Sequence, residues 1–379
     1  MGAGRTADAP PSARRAGWPG QNRGMRVVHS PDHLAHDPEV EVEHGLLVAH
    51  HELPRRAQEV VAALRADARF TVEAPAAHGL GPIDAVHEPG LAGFLATAWD
   101  EFQRQVKPQR DVFPDVFLHP ALRAGMDPVA APDAGPDGNV LAGLGYWCFE
   151  MATPLVSGSY AAARSAVDVA MTATQIVVDG GERFAFGNCR PPGHHAARSM
   201  YGGFCYFNNA AVAAHHVATT TGTKVTVLDV DYHHGNGTQQ IFYERDDVQY
   251  VSLHGDPARA YPYLVGFADE TGAGRGRGAN LNLPCPERMD DDAYVALLGR
   301  AADAITAFGP STLIVSLGVD TYYNDPISDL SLTADGYERC GQLVAELGLP
   351  AVVLLEGGYD IDAIGENVRR WLTGLAPNR

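Results

Sequence analysis

Apolar positions along this chain follow two recurring patterns. Ala57, Val60, Val61 and Leu64 fall on one face of a helix, and Val169, Thr172, Ala173 and Ile176 repeat that spacing, with Gly180 placed to end the second helix. In the second half the pattern changes to short, nearly unbroken runs rich in β-formers: Val225 to Val230, Tyr250 to Leu253, Leu313 to Leu317 and Ala351 to Leu355. Runs without alternation are expected of strands buried on both faces of a parallel sheet. Phe184 to Cys189 is a further strand-like run, and Met25-Arg-Val-Val-His reads as the first. Helical stretches such as Asp291 to Phe308 separate the strands. The alternation predicts an α/β fold, a single domain over residues 25–379 built on a mostly parallel multi-stranded sheet flanked by helices. No repeat or internal linker interrupts it. The segment from Lys107 to Asn139 is long and rich in proline, and loops of that length tend to be functional or disordered.

Residues 1–24 break the pattern. They are rich in Ala, Gly, Pro and Arg, show no periodicity and lack the apolar centre of a secretory signal. They are expected to be a disordered tail, or to precede a true start at Met25. A hydrophobic content of 45 % over 379 residues supports a large core. No segment reaches the roughly 18 unbroken apolar residues of a membrane span. A formal net charge of −18 argues against nucleic acid as a partner. Cys148, Cys189, Cys205, Cys285 and Cys340 are scattered without a CxxC pair, which fits a reduced, cytoplasmic protein.

The candidate chemistry follows from where polar residues fall, because open α/β sheets build their sites at the carboxyl ends of strands. Asp229-Val-Asp231-Tyr-His233-His234-Gly-Asn236-Gly closes one predicted strand and Ser252-Leu-His254 the next. Gly318-Val-Asp320 and Glu356-Gly-Gly-Tyr359 close two more, and Arg190-Pro-Pro-Gly-His194-His195 follows Phe184 to Cys189. In extended backbone Asp231 and His233 point the same way. With Asp320 from a neighbouring strand end they make three ligands, and three protein ligands with an open position are the signature of a catalytic zinc site. Paired histidines alone are weak support. His50-His51 lies in a polar stretch and His215-His216 in an Ala-rich helix, and both read as structural or exposed. Asp320 alone would read as a helix cap.

As a set, Arg190-Pro-Pro-Gly-His-His-Ala, Gly203-Phe-Cys-Tyr-Phe-Asn-Asn, Asp229-Val-Asp-Tyr-His-His-Gly-Asn-Gly-Thr, Ser252-Leu-His and Glu356-Gly-Gly-Tyr resemble the histone deacetylase superfamily, in order from Met25 to about the C-terminus. Tyr243-Glu-Arg, Leu253-His-Gly-Asp-Pro, Ser316-Leu-Gly-Val-Asp-Thr and Asp325-Pro-Ile-Ser resemble its bacterial acetylpolyamine amidohydrolase branch. The resemblance implies an arginase-like α/β fold and zinc-dependent removal of acetyl groups from amines. It implies one zinc per subunit on Asp231, His233 and Asp320. His194 and His195 match the tandem histidines that handle protons, with Asp229 orienting His194 and Asn236 behind His195. Tyr359 matches the tyrosine that polarises the carbonyl; Gly203, Phe204 and Tyr261 match the substrate tunnel. Potassium as a structural ion is implied on Asp229, Asp231, His233, Ser252 and Leu253, with an outer site on Phe242, Arg245 and Val248.

The resemblance also implies a homodimer acting on a small acetylated amine, its mouth narrowed by an inserted N-terminal segment from His33 to Gly45. Glu41, within Glu39-Val-Glu41-Val-Glu43, matches an acidic position that meets a cationic tail, although such a run also reads as a solvated edge. The second acidic position aligns with Ala152, with Glu150 only nearby, which weakens strict polyamine selectivity. Two alternatives stand beside this expectation: deacetylation of acetyl-lysine in proteins, and an inert binding module on the same fold. Two-manganese, arginase-like hydrolysis would need more Asp-x-His and Asp-x-Asp ligands than this single-metal set provides.

Overall fold

The structure, a computed structural model, describes residues 24–128, 130–133, 135 and 137–376; apart from Gly24, the expected tail lies outside them. The described strands are β1 Met25–Val28, β2 Val40–Glu43, β3 Leu46–Ala49, β4 Phe70–Glu73, β5 Phe184–Gly187, β6 Val225–Asp229, β7 Val248–Gly255, β8 Asn280–Cys285, β9 Thr312–Leu317 and β10 Ala351–Leu355. Eight form one sheet in the order β4-β1-β5-β10-β9-β6-β7-β8, and every neighbouring pair is parallel. The described helices are α1 Arg55–Arg65, α2 Gly81–Asp84, α3 Pro89–Gln105, α4 Val140–Trp147, α5 Ser159–Val178, α6 Asn209–Thr221, α7 Asn236–Phe242, α8 Asp291–Phe308, α9 Ala334–Glu346 and α10 Ile364–Leu375.

The helices fall on two sides. Side chains of α2 to α7 pack into one apolar cluster, and those of α1, α8, α9 and α10 into another. The central strands divide between them residue by residue. Leu313, Val315 and Leu317 of β9 enter the second cluster and Ile314 the first; on β10, Val352 and Leu354 enter the first and Ala351, Val353 and Leu355 the second. This two-sided burial is why these strands read as unbroken apolar runs. Helix ends follow local chemistry. Asp290 accepts from the Ala293 N–H to open α8, and Gly309, at φ 71°, closes it, giving the expected span from Asp291 to Phe308. α5 stops two residues before Gly180, and it is Gly181 that takes a positive φ of 69°.

Register sets the working edge. Asp229 pairs with Ser252 on one side and Ser316 on the other, Leu317 pairs with Leu355, and Leu354 with Gly187. The carboxyl ends of β5, β10, β9 and β6 are therefore level, and their following loops emerge together. One sequence expectation is corrected. β7 runs on to Gly255, because β6 and β8 supply partners along it, so Ser252 and His254 lie inside a strand. The segment from His33 is a single-turn helix, Pro31–Ala35, followed by an antiparallel hairpin of β2 and β3. His44 (φ 51°) and Gly45 (φ 78°) make its two-residue turn, both with the positive φ that twisted hairpins favour.

Candidate active site

Beyond β6 the chain continues into Asp231 and His233, and beyond β9 into Asp320. Each of the three offers a ligand atom within 4.8 Å of the other two, and all three residues are buried. Nδ1 of His233 lies 3.1 Å from Asp320 Oδ2 and 3.3 Å from Asp231 Oδ1. Backbone donors hold the carboxylates: Gly357 N–H to Asp231 Oδ2 (2.6 Å), His233 N–H to Asp231 Oδ1 (2.8 Å) and Tyr232 N–H to Asp320 Oδ1 (2.8 Å). Two glycines make the approach possible. A Cβ on Gly318 would stand 2.1 Å from Asp231 Oδ2, and one on Gly357 would stand 2.3 Å from Asp320 Oδ2. Burial and the Asp231 charge raise Asp320 to about 7. Burial would raise Asp231 as well, but His194 and His233 outweigh it and hold that carboxyl well below the usual range. Two buried carboxylates and an imidazole drawn to one point are a donor set that fits a divalent ion of the zinc type.

The tandem histidines sit beside this set with their rings 4.0 Å apart. Nδ1 of His194 faces Asp229 Oδ2 at 3.1 Å, and that oxygen also accepts from the Tyr250 hydroxyl at 2.9 Å. Burial opposes a charge on His194, but Asp229 and Asp231 prevail and lift it to about 10. Nδ1 of His195 meets Asn236 Oδ1 at 2.7 Å, while the Asn236 amide N–H donates to the His195 carbonyl at 3.4 Å. That orientation makes His195 Nδ1 the donor and leaves the lone pair on Nε2. Burial, then His194 and His233, push His195 well below its ordinary value. The segment is anchored by Glu356, whose Oε2 accepts from Gly193 N–H (2.6 Å) and His194 N–H (3.1 Å).

Aromatic rings line the approach. Tyr261 lies 5.0 Å from the His195 ring and 6.1 Å from that of His233, and Phe204 lies 5.8 Å from the ring of Tyr359. Phe204 is held in a left-handed conformation (φ 65°) that a bulky residue rarely adopts. Gly203 has to be glycine, because a Cβ there would stand 2.3 Å from His195 Cδ2. Glu150 and Thr153 fix this turn: Gly203 N–H donates to Glu150 Oε1 (2.9 Å) and Phe204 N–H to Thr153 Oγ1 (2.7 Å). Tyr359 is buried; Asp325 Oδ2 accepts from its N–H at 2.7 Å. Burial, with Asp231 and Asp320 nearby, keeps the Tyr359 hydroxyl protonated, although Arg56 pulls the other way.

The histone deacetylase domain is matched across residues 50–375. The chain belongs to the histone deacetylase family. Acetylpolyamine amidohydrolase of Mycoplana ramosa is 40 % identical over 352 residues, covering 93 % of this chain and 100 % of that protein. Acetylpolyamine amidohydrolase 1 of Pseudomonas aeruginosa is 40 % identical, covering 92 % and 98 %. The crystal structure of an acetylpolyamine aminohydrolase from Burkholderia pseudomallei superposes with a TM-score of 0.85 at 36 % identity, covering 93 % of this chain and 99 % of that one. Within the family frame the expected ligand, histidine and wall residues stand together at one edge of the sheet. Of those implied for a monovalent ion, Asp231 and His233 belong to this edge, and the others lie on β6, α7, β7 and the turn between α7 and β7. Asp229 and Ser252 are register partners, the Ser252 hydroxyl is 2.7 Å from His254 Nδ1, the Phe242 carbonyl accepts from Arg245 N–H at 2.9 Å, and Val248 opens β7.

Several supporting residues had no role assigned from the sequence. Glu52 Oε1 accepts from Arg56 Nη1 (2.6 Å) and Arg190 Nε (2.8 Å), with all three side chains inaccessible to solvent. Arg56 also donates to the carbonyls of Glu356 and Gly358, both at 2.5 Å, and its guanidinium lies 4.6 Å from the Tyr359 ring centre. Arg190 donates to the carbonyls of His33 and His36 at 2.7 Å each. One carboxylate thus ties the turn carrying Tyr359 to the segment carrying His194 and His195. The i, i+4 spacing of Glu52 and Arg56 was a visible signal for part of this network.

Glu41 is corrected in one of its expected readings. It is no solvated edge, being only 2 % exposed, and its oxygens are already engaged, Oε2 lying 2.7 Å from His50 Nδ1 and Oε1 2.7 Å from His51 Nδ1. His50 and His51 are thereby brought to the site, His50 edge-on to Phe204 at 5.1 Å. The hydrogen bond that His51 donates to Glu41 raises His51 above its ordinary 6.5. Burial would raise Glu41, but the two histidines outweigh it and lower the carboxyl below 4.5.

Two outcomes follow. Gly318→Ala should weaken metal retention by about 10–100-fold, as loss of a supporting contact does at other metal sites; metal content after dialysis checks it, and full retention in a folded variant refutes the packing argument. Glu41→Gln should lower the melting temperature most between about pH 5 and 6.5, where Glu41 is charged and His51 protonated. The raised His51 value means this stabilisation is lost as pH climbs through it; the lowered Glu41 value means it is also lost as pH falls far below 4.5. A melting difference just as large at pH 9 would contradict the pairing.

Proposed function

We propose that this protein is a zinc-dependent amidohydrolase that releases acetate from small acetylated amines, acetylated polyamines foremost. The observation that carries the reading is the buried set of Asp231, His233 and Asp320 beside two histidines with opposite partners, a carboxylate behind His194 and an amide oxygen behind His195. The relatives named above, matched over nearly their whole length, support the substrate class.

Asp231, His233 and Asp320 would hold the zinc. The chemistry such an ion supplies is Lewis acidity toward the amide carbonyl and an acidified water. The chain's own groups do the rest. His195, neutral and with its lone pair on Nε2, takes the proton of the attacking water. His194, kept charged by Asp229, supplies a proton to the departing amine. Tyr359, protonated, donates to the developing oxyanion. Phe204 and Tyr261 enclose a narrow apolar passage suited to an acetyl group and the methylenes behind it. Potassium on Asp229, Asp231, His233, Ser252 and Leu253, with a second ion at Phe242, Arg245 and Val248, is proposed as structural.

A second reading, hydrolysis of acetyl-lysine in proteins, is favoured by one observation: Glu41 is engaged with His50 and His51, and Ala152 occupies the other expected acidic position. We assign the enzyme to the cytoplasm as a homodimer. Support comes from the five free cysteines and from the exposed Leu46 and Leu47 of the hairpin.

Tyr359→Phe should keep its metal while kcat falls by about 10²–10³-fold, the usual consequence of removing one oxyanion donor. An unchanged kcat with metal bound would reduce Tyr359 to a packing residue. Comparing kcat/KM for acetylputrescine, acetylspermidine and an acetyl-lysine peptide tests the substrate class. The amines should be preferred at least tenfold, and equal or better turnover of the peptide overturns that choice.

A further inference from the structure

Behind Phe204 lie three buried groups that the proposed reaction does not use. His36 ends the single-turn helix Pro31–Ala35, His50 follows β3, and Glu52 precedes α1 by three residues. One ligand atom from each lies within 4.8 Å of the other two, and the residues are 1 %, 3 % and 0 % exposed. Each group has an outward atom that is occupied. Nδ1 of His36 is 3.0 Å from the Ser159 hydroxyl. Nδ1 of His50 is 2.7 Å from Glu41 Oε2, in ion-pair contact though out of line for a regular hydrogen bond. Oε1 of Glu52 takes the two guanidiniums of Arg56 and Arg190.

The remaining atoms are different. Nε2 of His50 and Oε2 of Glu52 are buried with no hydrogen-bond partner, and Nε2 of His36 stands 4.0 Å from that same Glu52 oxygen. Unpartnered buried polar atoms are costly, and buried polar groups rarely go unsatisfied in folded proteins. His36, with Nδ1 hydrogen-bonded to the Ser159 hydroxyl and Nε2 turned to Glu52, has the arrangement of a histidine ligand at a metal, and neither nitrogen of the buried His50 ring makes a hydrogen bond, Nδ1 only touching Glu41. Burial, Arg190 and His50 keep His36 uncharged and so able to donate a lone pair. Two imidazole nitrogens and one carboxylate oxygen suit a borderline divalent ion.

We propose that His36, His50 and Glu52 form a second divalent transition-metal site, separate from the Asp231 centre. Local charge sets its rank. Glu52 already faces both Arg56 and Arg190, and Glu41 is engaged with His51, so no net negative charge draws the ion in, whereas the Asp231 centre offers two carboxylates. The second site therefore binds more weakly and fills second. Once filled, it joins the single-turn helix, the hairpin and the start of α1 to the arginines that brace both catalytic segments.

The test counts ions. Chelator-stripped full-length protein is titrated with Co²⁺, and bound cobalt is measured by equilibrium dialysis with elemental analysis, alongside the visible spectrum. Wild type should bind two equivalents, the second at least tenfold more weakly. His36→Gln and His50→Gln should each bind one, with the spectrum of the tighter site unchanged. Asp320→Ala should lose the tighter ion and keep the other. A wild type that binds a single equivalent overturns the second site, since the three groups then face a water, and leaves the Asp231 centre standing. Two equivalents in both glutamine variants also overturn it, by placing the second ion elsewhere. Circular dichroism checks that the variants fold, and the wild-type stoichiometry decides the matter without them.

Discussion

Asp231 and Asp320 leave adjacent parallel strands and bring two carboxylates to one buried point, where desolvation and like charge both oppose them. The fold offsets this with oriented N–H donors from Gly357, Tyr232 and His233, and with the absence of side chains at Gly318 and Gly357. The level strand ends, the glycines after β9 and β10 and the imidazole between the carboxylates are all conditions for that one meeting. A cation would complete it. The sheet edge is therefore a frame that concentrates negative charge against its own electrostatics, and the positive His194 and neutral His195 are arranged around that field.

The two histidines show how little is needed to divide a pair of identical side chains between opposite protonation states. They are consecutive, equally buried and ring to ring. What separates them is the atom behind each Nδ1, a carboxylate oxygen of Asp229 or an amide oxygen of Asn236. Both partners come from one short stretch of chain, Asp229 closing β6 and Asn236 opening α7. Glu356 holds the backbone of the pair from the opposite side, through two N–H groups that glycine and histidine would otherwise leave buried and unbonded.

Legibility in the sequence followed the kind of constraint. The strands of the central sheet were readable because burial on both faces writes itself as an unbroken apolar run. The ligands and histidines were readable because they lie within a few residues of strand ends. The hairpin was not, since β3 carries its leucines toward solvent (Leu46 66 % and Leu47 65 % exposed) and so lacks an inside-outside alternation. The partners of Glu41 were hidden for a related reason: only a two-residue turn at His44 and Gly45 brings His50 and His51 back to it. The bonds from Glu52 to Arg190 span 138 residues and belong to no local pattern. The Glu150 brace on Gly203 was likewise non-local, spanning 53 residues, and makes that acid a support for the wall.

The place of Glu52 bears on how this protein could diversify. Its carboxylate is the shared anchor of segments that lie far apart in the chain, so a change in either segment is felt through the other. Recombination with a relative that exchanges residues 190–195 or 356–359 alone would divide a single mechanical unit. Crossovers should be tolerated only where the start of α1 travels with both segments, and the effect of a substitution at position 52 should depend on the background in which it is made.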